Sequence, residues 1–318
     1  MFKVPDMSVW IGREDSLEGD LGMRWHQQVS TWHEGAEPGV ALFGFPCEQG
    51  VARNLGRIGA KAGPLAIRRA LASHAWHMTK PVYDAGDIRC DDCDLESAQQ
   101  QLGDCVKRLL EDQQFPVVMG GGHEVAYGSW QGLNLFAREQ ATLPVIGIIN
   151  FDAHFDLRSY EQLGGSGLGN SGTPFKQIAD QCSAQNTPFH YCCLGVAQSA
   201  NTQALFKRAD ALGVSYRLDE QMGVACLTDT QQQLAAFIKA CDWLYLTIDL
   251  DVLPAAVAPG VSAPAARGVE LEVIEALITD IKASGKLKLA DIAELNPQLD
   301  IDQHTARTAA RLLGLIAR

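Results

Sequence analysis

Residues 144–156 read PVIGIINFDAHFD. The first part of this segment is an apolar run that does not alternate with polar residues, which is typical of a strand buried on both faces of a parallel sheet. The run ends in Asp152, His154 and Asp156. Residues two apart in extended chain point to the same side, so the segment predicts a buried strand with a cation site at its end. The other interpretation is a polar turn whose side chains cap the backbone.

Further apolar runs of the same kind lie along the chain and alternate with stretches that carry apolar residues at helical spacing. Strand alternating with helix predicts an α/β protein with a helix-flanked parallel sheet. The predicted strands are residues 40–44, 115–119, 144–150, 191–195, 243–248 and 287–292. The predicted helices are residues 64–71, 95–111, 271–283 and 305–316.

The domain organisation follows from the absence of an internal repeat or a Ser/Pro-rich linker. We expect one domain over residues 37–318 and an N-terminal arm over residues 1–36 that packs on it or on another subunit, since the arm carries Trp10, Trp25 and Trp32. The glycine-rich segment 163–172 predicts a mobile loop.

The charge of the chain limits its partners. Lys and Arg number 26 against 38 Asp and Glu, and the net charge is −12. Such a surface repels phosphate backbones and anionic lipids, so we expect neither nucleic acid nor membrane as a partner. A small anionic substrate would need a local cluster of Arg or Lys. No run approaches the roughly 18 apolar residues of a membrane span, and the N-terminus lacks the apolar core of a signal peptide.

The cysteines favour a reducing compartment. There are nine, an odd number, scattered along the chain. Only Cys90 and Cys93 have the spacing of metal ligands, and a closed zinc site of that type needs four cysteines. The sequence therefore predicts a cytoplasmic protein with reduced thiols and no structural zinc.

Two more strand ends carry residues that bind metals. Gly120–Gly122 follow the run at 115–119 and lead into His123, while Asp249 and Asp251 follow the run at 243–248. Ligands of open α/β sheets bind at such carboxyl ends. Paired carboxylates repel each other unless a cation holds both ionised. The four aspartates balance the charge of two divalent ions, and an oxygen-rich set without thiolate favours Mn²⁺ or another hard-to-borderline ion.

These three segments together resemble the metal signatures of the arginase/agmatinase (ureohydrolase) family, as do residues 54–60, 63–68 and 291–297. The resemblance covers almost the whole chain and implies a three-layer α/β/α fold, two Mn²⁺ per subunit and a homo-oligomer. It implies one ion bound by His123, Asp152, Asp156 and Asp249. It implies a second bound by His154, Asp152, Asp249 and Asp251, so that Asp152 and Asp249 bridge.

Within the family the chain most resembles the hydrolases that convert N-formimidoyl-L-glutamate and water to L-glutamate and formamide in histidine degradation. The resemblance is carried by residues 48–57, 156–158 and 171–175, and Ser171 stands where arginases carry a histidine. The alternatives are another ureohydrolase (arginase, agmatinase or guanidinobutyrase) and a non-catalytic metal-binding relative.

This resemblance also suggests roles for individual side chains. Asp156 is expected to pass the proton to the departing amine, and Glu294 to pair with the amidinium, since a carboxylate matches that planar pair of donors. The other interpretation of Glu294 is a partner for a nearby arginine. Arg57 and Arg158 are expected to hold the substrate carboxylates, with loop-tying ion pairs as their alternative role, and Ser171 to bind substrate.

Overall fold

The computed structural model describes residues 1–91, 94–160 and 168–318. Cys93 and residues 163–167 of the predicted glycine-rich loop lie outside this part. The described chain contains one sheet of ten strands. They are β1 (Phe2–Lys3), β2 (Ser30–Thr31), β3 (Val40–Phe45), β4 (Val82–Ile88), β5 (Phe115–Gly120), β6 (Ile146–Phe151), β7 (His190–Val196), β8 (Ser215–Leu218), β9 (Trp243–Asp249) and β10 (Leu287–Ala293).

The strand order is β1-β4-β3-β5-β10-β9-β6-β7-β8, with β2 paired to β4. Only β1 runs antiparallel to its neighbour; every other pairing in the described sheet is parallel. The four strands β5, β10, β9 and β6 are therefore adjacent at the centre, and their carboxyl ends meet at one edge.

Helices cover both faces of the sheet. Those of at least eight residues are α3 (Gly63–Ala72), α4 (Leu95–Glu111), α5 (Val125–Arg138), α6 (Pro174–Ala184), α7 (Gln203–Ala211), α8 (Leu227–Lys239), α9 (Leu271–Ala283) and α10 (His304–Ala317), and the shorter ones are α1 (Trp25–Gln28) and α2 (Gln49–Arg53). Side chains of α3, α8, α9 and α10 bury one core against the sheet, and those of α4 to α7 bury a second core on the other face. The predicted three-layer α/β/α fold is confirmed.

Helix α4 shows how the sequence produces these layers. Leu95, Leu102, Val106 and Leu109 are all buried and recur at helical spacing, so one stripe of the helix faces the sheet. Asp94 caps its first turn by accepting a hydrogen bond from the backbone N–H of Ser97. The apolar stripe and the cap together fix both where this helix begins and which face it buries.

All six predicted strands and all four predicted helices are present, with ends shifted by at most two residues, but the prediction was incomplete. It did not include the short elements β1, β2, α1 and α2, strands β4 and β8, or helices α5 to α8. Strand β4 was missed because Asp84 and Asp87 interrupt its apolar pattern. Both aspartates are paired with Arg68 of α3, whose guanidinium is 2.8 Å from each, so their charges are compensated within the fold.

The N-terminal residues pack against the rest of the chain. Trp10 and Trp25 are buried in the core that α3 and α10 share. The indole N–H of Trp10 donates a hydrogen bond of 2.9 Å to the buried Asp84. These contacts attach the N-terminal residues to the rest of the chain, and the division into an arm over residues 1–36 and a domain over residues 37–318 stays a prediction. No described helix is long and apolar enough to cross a membrane.

Candidate metal centre

The six predicted ligands lie at the carboxyl edge of the four central strands. Phe151 of β6 is in register with Ile248 of β9, and Asp249 of β9 is in register with Ala293 of β10. Asp152 directly follows Phe151, and Glu294 directly follows Ala293. Both residues therefore lie beside Asp249. On the other side of β10, strand β5 ends at Gly120, and the turn that follows carries His123.

The first group of ligands surrounds one ring nitrogen. Nδ1 of His123 is 3.1 Å from Asp152, 2.9 Å from Asp156 and 3.3 Å from Asp249. The ligand atoms of these four residues all lie within 4.8 Å of one another. An Nδ1–H group donates one hydrogen bond, so hydrogen bonding satisfies one of the three carboxylates. A cation among the four atoms would contact all three carboxylates at once.

The second group consists of Asp152, His154 and Asp251, whose ligand atoms also lie within 4.8 Å of one another. Nδ1 of His154 is 3.0 Å from Asp251 and 3.6 Å from Asp152. Asp152 thus belongs to both groups. Asp249, the other predicted bridge, falls in the first group, and one of its oxygens accepts a hydrogen bond of 2.9 Å from the backbone N–H of Asp251.

The donor set fits the predicted ions. Four carboxylates and two imidazoles contribute oxygen and nitrogen atoms, and no described cysteine belongs to either group. Such hard-to-borderline donors suit Mn²⁺, whereas thiolates would favour zinc. Asp152 is fully buried, and Asp249 and Asp251 are nearly so. Burying this much negative charge is costly unless cations compensate it.

The pKa values of these groups reflect the same charge imbalance. Burial, followed by the neighbouring charge of Asp152, raises the pKa of Asp156 to about 6. Burial, together with Asp251 and Asp152, also raises the pKa of Asp249. Although burial opposes ionisation of Asp152, hydrogen bonds from both histidines lower its pKa. Burial likewise opposes the charged form of His123, yet its carboxylate neighbours raise its pKa. The aspartates thus require positive charge beside them.

Two residues that were not predicted position the ligands. Asn150 donates a hydrogen bond of 2.9 Å to Asp152. The hydroxyl of Thr247 is 3.0 Å from Nε2 of His123, a contact that leaves Nδ1 facing the carboxylates. Each residue lies in a strand and precedes a ligand aspartate by two positions, so period-two alternation was a signal that pointed to both.

Glu294 is buried beside the first group. Its φ of 69° places it in the left-handed region, and its backbone N–H donates a hydrogen bond of 2.8 Å to the carbonyl of Gly121, just after β5. One carboxylate oxygen accepts a hydrogen bond of 2.9 Å from the backbone N–H of His123, and the other has no hydrogen-bond partner among the described residues. Burial, and next the charge of Glu124, raises the pKa of Glu294 to about 8. No described arginine pairs with it, so its second oxygen can accept a donor from substrate.

The two predicted arginines differ in their surroundings. Arg57 donates hydrogen bonds of 2.8 and 2.7 Å to the backbone carbonyls of Ser262 and Val261, so it ties two loops together. Arg158 is exposed, and within the described chain its guanidinium has no hydrogen-bond partner. Its Cδ and Nε lie against Gly172, close enough that a side chain at this glycine would meet them. Arg158 is the more available of the two for a substrate carboxylate.

The segment that begins at Ser171 joins Arg158 to the ligands. Ser171 is buried, and its hydroxyl accepts a hydrogen bond of 3.2 Å from the side chain of Asn54. The backbone N–H of Arg158 donates to the carbonyl of Gly172 at 2.9 Å. Four residues after Ser171, the ring of Phe175 meets the ring of His123 edge to face, with 5.5 Å between their centroids. Asn54 was not among the predicted site residues.

The comparisons with known proteins all find similarity to the same family. Residues 38–317 match the model of the arginase family. The formimidoylglutamase of Aeromonas hydrophila is 60% identical over 315 residues, which cover 98% of each chain. The crystal structure of formimidoylglutamase from Bacillus subtilis superposes with a TM-score of 0.81 at 24% identity, covering 96% of this chain and 93% of that one. That of Trypanosoma cruzi formiminoglutamase with Mn²⁺ gives a TM-score of 0.75 at 24% identity, covering 88% and 92%.

Proposed function

The chain belongs to the arginase family, and from this premise we propose that it hydrolyses N-formimidoyl-L-glutamate to L-glutamate and formamide. The observation that carries the proposal is the 60% identity to a formimidoylglutamase over nearly the full length of both chains. The six metal-binding side chains at the edge of the sheet support it, because a non-catalytic relative has no need to keep both groups of ligands together.

The cofactor that we propose is a pair of Mn²⁺ ions. His123, Asp152, Asp156 and Asp249 would hold one, and His154, Asp152, Asp249 and Asp251 the other. Two such ions, when bound, supply a water molecule whose pKa is lowered towards 7. Support comes from the two groups of ligand atoms and from the Mn²⁺ present in the Trypanosoma cruzi formiminoglutamase structure.

The residues around this centre have separate proposed roles in the reaction. Water adds to the amidine carbon, and the bond from that carbon to the glutamate nitrogen breaks as this nitrogen takes up a proton. Asp156 is proposed to pass that proton, because its carboxylate faces the same point as Asp152 and Asp249. Glu294 is proposed to accept N–H groups of the amidinium through its unpartnered oxygen, since a carboxylate matches that pair of donors.

The substrate carboxylates need a cation in a protein of net charge −12. Arg158 is proposed to supply it, because the described chain leaves its guanidinium without a hydrogen-bond partner and it lies against the segment that holds Ser171. Ser171 is proposed to line the same side of the site. Arg57 was predicted for the same role, but its hydrogen bonds to two carbonyls support its loop-tying alternative.

Replacement of Arg158 by alanine is expected to raise KM and to lower kcat/KM at least tenfold, or by about 1.4 kcal/mol, because a charge-assisted pair with the substrate is lost. Metal content should stay unchanged. Arg158→Lys, which keeps the charge but not the planar fork, should recover part of the loss. Arg57→Ala provides the comparison, and its expected effect is on thermal stability. Steady-state kinetics with unchanged KM in Arg158→Ala would remove this residue from the substrate site.

The reaction itself is tested by its products. Proton NMR of N-formimidoyl-L-glutamate incubated with the Mn²⁺-loaded protein should show formamide and glutamate appearing in equal amounts. Cleavage of the other C–N bond would instead give ammonia and N-formylglutamate. Appearance of N-formylglutamate as the main product would contradict the proposed reaction, since the proton would then have been delivered to the wrong nitrogen.

Compartment and assembly remain predictions. We propose a cytoplasmic location, which is supported by eight described cysteines that are all free thiols. A homo-oligomer is proposed on the resemblance to the family alone. Neither proposal affects the assignment of residues within the site.

A further inference from the structure

Two cysteines outside the metal centre lie side by side at the same edge of the sheet. Cys47 follows the end of β3 by two residues, and Cys90 follows the end of β4 by two residues. The strands are parallel neighbours whose last registered pair is Gly44 with Asp87, three residues before each cysteine. Neighbouring strands are about 4.8 Å apart, and a disulfide joins Cα atoms about 4.4–6.8 Å apart. The register thus places the two cysteines side by side, just beyond the ends of neighbouring strands.

The two side chains are neighbours, and the interaction between their thiols raises the pKa of Cys47 and lowers that of Cys90. Both pack into the core on the α4 face of the sheet. Their accessibility differs: the Cys47 residue is 2% exposed, whereas Cys90 is half-buried. An oxidant therefore reaches Cys90 first, with Cys47 placed behind it.

The surroundings of Cys90 favour its thiolate. The hydrogen bond from Cys47, helped by the charge of Arg53, lowers the pKa of Cys90 although its partial burial opposes this. Burial, by contrast, raises the pKa of Cys105 to about 11 and that of Cys192 to about 12. The thiolate is the nucleophile in thiol oxidation. Among the described cysteines with a displaced pKa, Cys90 is the one displaced towards reactivity.

We propose that Cys47 and Cys90 are a modification site that closes reversibly into a disulfide when a peroxide oxidises Cys90. The thiolate of Cys90 attacks one oxygen of the peroxide, so that an S–O bond forms, the O–O bond breaks and the other oxygen leaves as hydroxide or alkoxide. Cys47 then attacks the resulting sulfenic acid, so that an S–S bond forms and water leaves. The two sulfurs together lose two electrons, which the peroxide gains, and a dithiol reductant reverses the step.

The position of Cys47 connects this site to the metal centre. Its carbonyl accepts a hydrogen bond of 2.9 Å from the backbone N–H of Gly122, next to His123. A Cβ built on Gly121 would lie 1.7 Å from the same carbonyl, so the two backbones are packed without spare room. Movement of Cys47 towards Cys90 would therefore shift the turn that carries His123. We expect the disulfide to lower turnover, an expectation that rests on the proposed function.

The covalent step is tested by mass spectrometry on the purified full-length protein. After removal of reductant, hydrogen peroxide should lower the intact mass by 2 Da, and a proteolytic digest should contain one peptide pair that joins Cys47 to Cys90. Dithiothreitol should restore the original mass. Cys47→Ser and Cys90→Ser should each abolish the linked pair, while Cys105→Ser, which removes a half-buried thiol elsewhere, should leave it unchanged.

Two further outcomes would overturn the proposal. One is a link from either cysteine to Cys93, which Cys93→Ser would abolish. The other is the absence of any linked pair after oxidation.

In the activity measurement, the kcat of oxidised wild-type protein should fall at least fivefold, and Cys90→Ser should keep its activity under the same treatment. Unchanged activity in a fully linked protein would overturn the regulatory effect. If no substrate is turned over, the proposed function fails, while the mass measurement still decides the disulfide.

Discussion

Removal of bound metal by a chelator is expected to bring hydrolysis down to the uncatalysed level, and added Mn²⁺ is expected to restore it. The physical reason is the convergence of four aspartates and two histidines at one edge of the sheet. Their buried negative charges need compensation, and among the described residues no lysine or arginine forms an ion pair with either group. Activity measured before chelation, after dialysis and after reconstitution checks this result.

Thermal unfolding gives a readout that does not depend on turnover. An ion that binds only the folded chain stabilises it by about 2.7 kcal/mol per site when the free ion is 100 times its Kd. Mn²⁺ should therefore raise Tm clearly, and Mg²⁺, which accepts imidazole less readily, should raise it less. Full activity in protein shown by elemental analysis to be metal-free would end the metal-dependent account.

The replacement Asp152→Asn is expected to lower kcat/KM about a thousandfold or more, which corresponds to roughly 4 kcal/mol. Asp152 is fully buried and belongs to both groups of ligand atoms. Asparagine keeps the shape and one carbonyl oxygen but removes the negative charge that both ions would share. Elemental analysis should show that both ions are weakened together.

Asp251→Asn is the matched comparison, because Asp251 belongs only to the second group. It should lose one ion and retain the other. Asp180→Asn, which removes a carboxylate paired with Lys176 on the surface of α6, should change neither metal content nor turnover. Tm measured in parallel verifies folding. If Asp152→Asn bound two ions as tightly as the unchanged protein, Asp152 would not be the shared ligand.

Much of this centre could be predicted from the chain because its ligands follow apolar runs directly. Asp152 and Asp249 each come at the end of a buried strand, where parallel topology brings side chains to one edge. Thr247 and Asn150 escaped notice because a polar residue within a strand has many ordinary roles. Their spacing from the ligand aspartates is visible in the sequence, but the atoms that they contact are set by the packing of the strands, which the sequence alone does not give.

Other features could not be predicted from the sequence because long-range packing determines them. Helix α5 carries Gly128 and Gly132, which weaken its helical propensity. A Cβ at Gly132 would come within 2.5 Å of the carbonyl of Gly103 in α4, so the glycines allow the two helices to approach closely. Likewise, the sequence left two roles open for Arg57, a substrate clamp or a tie between loops, because the loop carbonyls that it binds lie more than 200 residues away along the chain.

The most direct test of the proposed function is a hydrolysis panel with the Mn²⁺-loaded protein, comparing kcat/KM for N-formimidoyl-L-glutamate, arginine, agmatine and guanidinobutyrate. The account predicts that N-formimidoyl-L-glutamate exceeds each of the others by roughly a hundredfold or more, about 2.7 kcal/mol, because only this compound presents an amidine together with two carboxylates. Agmatine, which has no carboxylate, should be among the poorest. Turnover of agmatine or arginine as fast as that of N-formimidoyl-L-glutamate would contradict the proposed substrate and favour another ureohydrolase activity.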